Sequence, residues 1–204
     1  MEKTTFGHYQ IQITEKSDFD PLIQNYPSLQ GQVFRCKQIH SNQIHRWHPQ
    51  WDNSTPGDGI IADTTGIKLG VGVSDCNAVV IMGEQRYGIL HAGWAGLKEG
   101  IISKMFEKLT ELGESEFSVF VGPSIRTCCY EVGEEFTEWV DAKYLQKNNR
   151  GRYQFDMIAM IQDLLREYPC KQIQIHPSCT KCSSNFWSYR RGDGINNFIT
   201  IEKY

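Results

Sequence analysis

Three side chains able to hold a borderline metal ion, or to act as nucleophile and base, stand at the ends of apolar runs. In LGVGVSDCNAVVIMGEQRYGILHAGWAGL, residues 69–97, Cys76 follows the Ser74-Asp75 turn and His91 closes the run from 87, just before a helical pattern. His40 closes a third run, QVFRCKQIH, which starts at 32. If those strands are neighbours, two imidazoles and a thiol meet at one edge of a sheet. Zinc takes such a His/Cys/His set tetrahedrally and leaves a fourth position where a water can be activated. The same residues also allow a metal-free hydrolase, with Cys76 as nucleophile and His91 or His40 as base, able to cleave an amide. An inert buried thiol beside hydrogen-bonding histidines is the bland alternative. Spacing alone leaves all three open.

The elements that must position these residues are short. HYQIQIT (8–14) and QVFRCKQIH (32–40) alternate as half-buried strands do, and strands are expected at 68–73, 77–82, 87–91, 117–125 and 172–177. WDNSTPGDG (51–59) is dense in turn formers. AGLKEGIISKMFEKLTELG (95–113) carries Leu97, Ile101, Ile102, Met105, Phe106 and Leu109 on one face and predicts an amphipathic helix closed by Gly113. Further helices are predicted over 134–147 and over 156–168, the latter with Asp156 as N-cap. KNNRGR (147–152) reads as a surface loop, and no repeat or linker divides the chain. The expectation is a single mixed α/β domain over residues 1–204.

Composition narrows the function. A chain of 204 residues that is 40% hydrophobic can bury one sizeable core. With 21 basic and 24 acidic residues, net charge −3, it lacks the basic excess of a nucleic-acid surface. MEKTTFGHYQIQITEKSDFD has no apolar signal region and no segment has the length of a membrane span, so a soluble, cytoplasmic protein is expected. Seven cysteines, an odd number at irregular spacings, argue for reduced thiols.

The stretches KQIHSNQI, GDGIIAD, LGVGVSDCNAVVI, LHAGWAGLKEGI, VGPSIRTCCYEVGEEF and FWSYRRGDG follow one another over roughly 33–194. In order and spacing they resemble the YfiH-like laccase-domain family, described variously as multicopper polyphenol oxidoreductases, purine nucleoside phosphorylases and peptidoglycan editing factors. The resemblance implies an α/β/β/α layered sandwich with mixed sheets. It also implies zinc held by His40, Cys76 and His91, the same three residues that the strand ends single out. Implied activities are phosphorolysis of adenosine, inosine or methylthioadenosine and deamination of adenosine, with a small nucleoside and phosphate as partners. The alternatives are a cysteine-type amidohydrolase acting on a peptidoglycan precursor and a copper-dependent oxidoreductase. Copper ranks last, because too few cysteines and histidines lie at motif positions for a multi-copper cluster.

Three departures bear on phosphate. Residues 1–30 contain nothing like the family's FSTR-GGVS-type segment, Ala95 stands where the family has arginine after HAGW, and SYRRGDG carries an inserted glycine while keeping Arg190 and Arg191. A helix starting near Gly93 would offer free amides to an anion, and Lys98 on the same face a point charge. Lys98, Arg190, Arg191 and Asp58 are therefore the expected substrate-binding residues, and Asp75 an expected catalytic or supporting acid. Asp58 and Asp63 read equally well as turn residues at the two ends of a strand. Trp94 is expected in the core at the helix start. Cys179 and Cys182 form a lone CxxC with no second pair at zinc-ribbon spacing, so free thiols outweigh a redox or structural-metal role there, and Cys128-Cys129 falls in the turn after the strand from 117. His45 and His48, flanked by Trp47 and Trp51, read as solvent-facing.

Overall fold

The computed structural model describes residues 1–204 apart from 23, 24, 28 and 30. Phe6 and Tyr9 pair across a tight turn whose Gly7 has a left-handed φ of 55°, joining β1 (Glu2–Phe6) to β2 (Tyr9–Ile13). There follow β3 (Val33–Phe34), β4 (Ile44–Arg46), β5 (Gly59–Ala62), β6 (Lys68–Val73), β7 (Asn77–Met82) and β8 (Tyr87–Ala92). Two helices, α1 (Trp94–Lys98) and α2 (Ile101–Glu111), lead into β9 (Phe117–Val121). The last part of the chain holds β10 (Glu131–Val132), β11 (Leu145–Lys147), β12 (Tyr153–Phe155), α3 (Met157–Leu165), β13 (Cys170–Ile175) and β14 (Asn197–Lys203).

Among the described residues these strands form a five-stranded sheet, β1-β2-β14-β6-β3, a six-stranded sheet, β13-β9-β7-β8-β5-β4, and a small sheet, β10-β12-β11. Side chains alternate along a strand, and β7 uses both of its faces. Ala78, Val80 and Met82 meet Ile11, Leu69, Val71 and Ile199 of the five-stranded sheet, while Val79 and Ile81 pack with Ile102, Met105 and Phe106 of α2 and Ile161 of α3. Strands covered on both sides read as continuous apolar runs, as NAVVIM does. Phe19, Tyr26 and Trp187, beside the 3₁₀ turn Lys16–Asp18, form an edge-on aromatic cluster with Phe198 on the outer side of the five-stranded sheet. The mixed α/β sandwich is therefore as expected, with an outermost layer reduced to one 3₁₀ turn and its aromatic neighbours. No helix among the described residues is long and apolar enough to cross a membrane.

Three elements differ from the sequence reading. The helix expected over 95–113 is broken at Gly100, whose φ of 73° ends α1 and opens α2. The helix expected over 134–147 is two 3₁₀ turns, Glu134–Glu138 and Ala142–Tyr144, followed by β11. There the Asp141 side chain accepts from the Lys143 amide and starts a new turn, as aspartate does where it competes with the helical ladder. The strand expected over 32–40 ends at Phe34, and residues 35–41 form a loop. By contrast α3 begins where Asp156 caps it, its Oδ1 accepting from Ala159 N at 2.9 Å.

Candidate metal centre

Asp58, buried just before β5, organises the centre. Its backbone carbonyl accepts from His91 N at 2.8 Å, and its Oδ1 accepts from His91 Nδ1 at 2.7 Å. The same carboxylate accepts from the amides of Ile39 (3.2 Å), His40 (3.1 Å) and Ser41 (2.7 Å) and from the Ser41 hydroxyl (2.9 Å). Those three amides hold His40 at a φ of 59°, a left-handed conformation rare for a residue with a Cβ. His40 and His91 then stand edge to face, ring centroids 4.7 Å apart.

Cys76 arrives from the corner where the chain leaves β6 in one sheet for β7 in the other. Asp75 takes that corner at a φ of 89°. Its carboxylate accepts from Thr180 Oγ1 (2.6 Å), Ser188 Oγ (3.1 Å) and Arg190 N (2.7 Å), and its carbonyl from Ile125 N (3.0 Å). The nitrogen and sulfur donors of His40, Cys76 and His91 lie within 4.8 Å of one another. Gly93 admits this approach, since a Cβ there would meet Cys76 Sγ at 3.0 Å and His40 Cδ2 at 3.4 Å.

Electrostatics suit a cation. Burial opposes the charge on Asp58, but the hydrogen bonds from His91 and Ser41 outweigh it and bring the carboxyl down to about 2. Burial likewise opposes the Cys76 thiolate, and the histidines on either side bring it down to about 7. Burial works against charge on His91, yet Asp58 and Cys76 raise it to about 9. With Asp58 ionised, Nδ1 of His91 donates to it, and Nε2 serves as a ligand once a metal displaces its proton, the usual arrangement of a carboxylate behind a metal-binding histidine. Two imidazoles and an acidic thiol with a carboxylate support behind them are a donor set that zinc fits.

The centre opens on a cleft of about 1120 Å³. Trp94, Tyr130 and Phe136 supply aromatic surface to it, and Arg35, Arg152 and Arg190 bring cations to its border. Trp94 is thus 44% exposed and faces the cleft, contrary to the core position expected for it. No local pattern around Arg35 or Arg152 marks them as cleft residues; both lie on connections whose course depends on distant contacts.

Of the expected substrate-binding residues, only Arg190 borders the cleft. It lies 5.2 Å above the Tyr130 ring, and its Nη1 donates to the Glu131 carbonyl at 2.8 Å. Asp58 is 1% exposed and its oxygens serve the ligand loop and His91, so it supports the histidines from behind. Lys98 falls in the last turn of the shortened α1 and extends over Trp139, away from the cleft border. Arg191 Nη1 donates to the carbonyls of Thr180, Lys181 and Ser183, and Nη2 to Phe186 O and Asp193, so its guanidinium is spent on one loop. Asp75 lines the cleft, but its hydrogen bonds make it a fastening for the corner. His45 bonds to the Pro56 carbonyl and His48 is exposed; Asp63 pairs with Arg46.

Residues 21–198 match the family model described as multi-copper polyphenol oxidoreductase laccase. The chain belongs to that family. A family relative from Aquifex aeolicus, named purine nucleoside phosphorylase, is 36% identical over 163 residues, covering 80% of this chain and 78% of the relative. The laccase-family fold is shared with a Neisseria meningitidis protein, NMB0706, at a TM-score of 0.83 and 19% identity over 99% of this chain and 98% of that one. YlmD from Geobacillus stearothermophilus gives a TM-score of 0.80 at 21% identity, over 96% and 91% of the two chains.

Proposed function

We propose that the protein is a zinc-dependent enzyme of purine nucleosides, with His40, Cys76 and His91 as metal ligands and the adjoining cleft as the nucleoside site. The observation that carries this reading is the meeting of the three donors beside aromatic and arginine side chains in one cleft. Relatives named purine nucleoside phosphorylase support the substrate class. Zinc held by these three residues would supply a Lewis acid to the cleft.

The chain's own residues account for binding and orientation. The exposed indole of Trp94, in ring contact with Phe136 at 5.7 Å, offers a flat apolar face to a purine. Arg190, with Arg35 and Arg152, offers charge to a phosphate dianion. In phosphorolysis a phosphate oxygen bonds to C1′ as the C1′–N9 bond breaks, yielding ribose 1-phosphate and the free base. In deamination water adds at C6 and ammonia leaves, giving inosine from adenosine.

The test is metal analysis of the purified protein together with chromatography of adenine, inosine and hypoxanthine across a phosphate titration. About one zinc at this centre, and loss of product formation on His40→Ala, Cys76→Ala and His91→Ala, are expected. Full activity in Cys76→Ala and His91→Ala would remove the reading. The acidic Cys76 thiol between two imidazoles also favours a second reading, a cysteine-type amidohydrolase. Faster alkylation of Cys76 in metal-loaded than in chelated protein would favour that alternative.

A further inference from the structure

A second group of sulfur atoms converges on the far side of Asp75. Cys128 and Cys129 lie on the connection leaving β9, and Cys179 and Cys182 on the one leaving β13. β9 and β13 are parallel neighbours with Val121 beside Ile175, so both connections leave the same end of the sheet. They stay together: Ser124 bridges to Cys179, and the Thr180 amide donates to Ser124 O at 3.1 Å. The lone CxxC of the sequence thereby acquires a partner pair some fifty positions upstream.

The sulfur separations identify the ligand. Cys128 Sγ is 3.7 Å from Cys129 Sγ and 3.7 Å from Cys182 Sγ, and the last two are 3.3 Å apart. All four Sγ atoms lie within 4.8 Å of one another. A tetrahedron with metal–sulfur bonds of about 2.3 Å has edges of about 3.8 Å. A disulfide would need about 2.05 Å, and all seven cysteines are free. We propose that Cys128, Cys129, Cys179 and Cys182 form a structural zinc site, separate from the one at His40, Cys76 and His91.

The surroundings fit a tetrathiolate, which carries two net negative charges with zinc. Arg126, half-buried, places its positive charge against Cys179 and Cys128 and anchors to Ser124 Oγ and His176 O. The amides of Cys182 and Arg126 point at Cys179 sulfur, as amides do around thiolate ligands. Arg191 gathers the carbonyls of residues 180, 181 and 183 and shapes the CxxC turn. The same two connections supply Ile125 N, Thr180 Oγ1 and Ser188 Oγ to Asp75. An ion joining them would fasten the platform on which Cys76 stands.

The experiment counts metals by elemental analysis and native mass spectrometry on the full chain, purified without added metal or chelator. The wild type is compared with His40→Ala/His91→Ala, which removes two ligands of the first centre, and with Cys179→Ser/Cys182→Ser. About one zinc should remain in the histidine variant and about one should be lost in the serine variant. So that the test does not depend on the folding of the serine variant, the histidine variant is also alkylated before and after chelation. Cys128, Cys129, Cys179 and Cys182 should become reactive together, as that zinc leaves. Cobalt in its place should show the intense thiolate charge-transfer absorption of a tetrahedral site. A zinc-free histidine variant whose four thiols alkylate at once would overturn the proposal. So would a Cys129–Cys182 disulfide in the purified protein, or iron in place of zinc.

Discussion

Asp58 Oδ1 lies 2.7 Å from His91 Nδ1, and the same carboxylate accepts the amides of residues 39–41. One buried acid therefore aligns two of the three ligands of the centre, one through its ring and one through its backbone.

Asp58→Asn should test that relation. An amide in its place presents an NH₂ group to donors that need an acceptor, so the loop at His40 and the ring of His91 both lose definition. Metal affinity is expected to fall by about 10- to 100-fold, as for other partners of metal-binding histidines. Competition with a chromogenic chelator measures it, and unchanged affinity would show that Asp58 does not set the ligands.

The thiol supplies a pH dependence. In metal-free protein Cys76 titrates at about 7, lower than an ordinary thiol, so its alkylation should rise with pH through about 7. Below that point the thiolate fraction drops about tenfold per pH unit. With zinc bound the thiolate is already a ligand and should alkylate slowly at every pH. Mass-spectrometric labelling of Cys76 from pH 5 to pH 9, with and without chelator, reads both curves. A chelated protein that labels only above pH 8 would contradict the influence assigned to the two histidines.

Gly93→Ala should damage the centre while leaving the fold intact. The added methyl meets Cys76 Sγ at 3.0 Å, closer than an ordinary contact, and the displaced sulfur leaves the donor triangle. Metal stoichiometry should fall well below that of the wild type, whereas the far-ultraviolet circular dichroism should not change. Retention of full zinc would mean that the ligand geometry has slack at this point.

The two neighbouring arginines should separate. Arg190 borders the cleft, so Arg190→Ala should raise the phosphate concentration needed for nucleoside cleavage, with a small change in melting temperature. Arg191→Ala should instead lower the melting temperature, because the carbonyls of Thr180, Lys181 and Ser183 lose the charged donor that gathers them into one loop. Thermal melts and a phosphate titration on both variants decide it. The reverse pattern would move the anion to Arg191.

Much of the scaffold was legible in the sequence. β6, β7, β8 and α3 are uninterrupted apolar or periodic segments, and covering both faces of the six-stranded sheet explains NAVVIM directly. His40, Cys76 and His91 could be chosen because each stands at the end of a run read as a strand, or just past one. What escaped depended on distant partners. Residues 35–41 keep a strand-like alternation, but Asp58 captures three of their amides and turns them into a loop. Trp94 has the apolar character of a core residue, and the break at Gly100 leaves it on a short helix facing the cleft. The association of Cys128-Cys129 with the CxxC follows from the parallel pairing of β9 with β13, which no local spacing announces.

The corner at Asp75 has a wider meaning for the molecule. His40 and Cys76 both lie where the chain crosses between the sheets, one between β3 and β4 and the other between β6 and β7, while His91 ends a strand inside the six-stranded sheet. An ion held by the three spans the seam of the sandwich, so parting the sheets would require releasing it. Resistance to unfolding then becomes a function of free metal, gaining about 2.7 kcal/mol when the free ion stands at a hundred times its dissociation constant. Removing such an ion would loosen the seam of the sandwich as well as empty the centre.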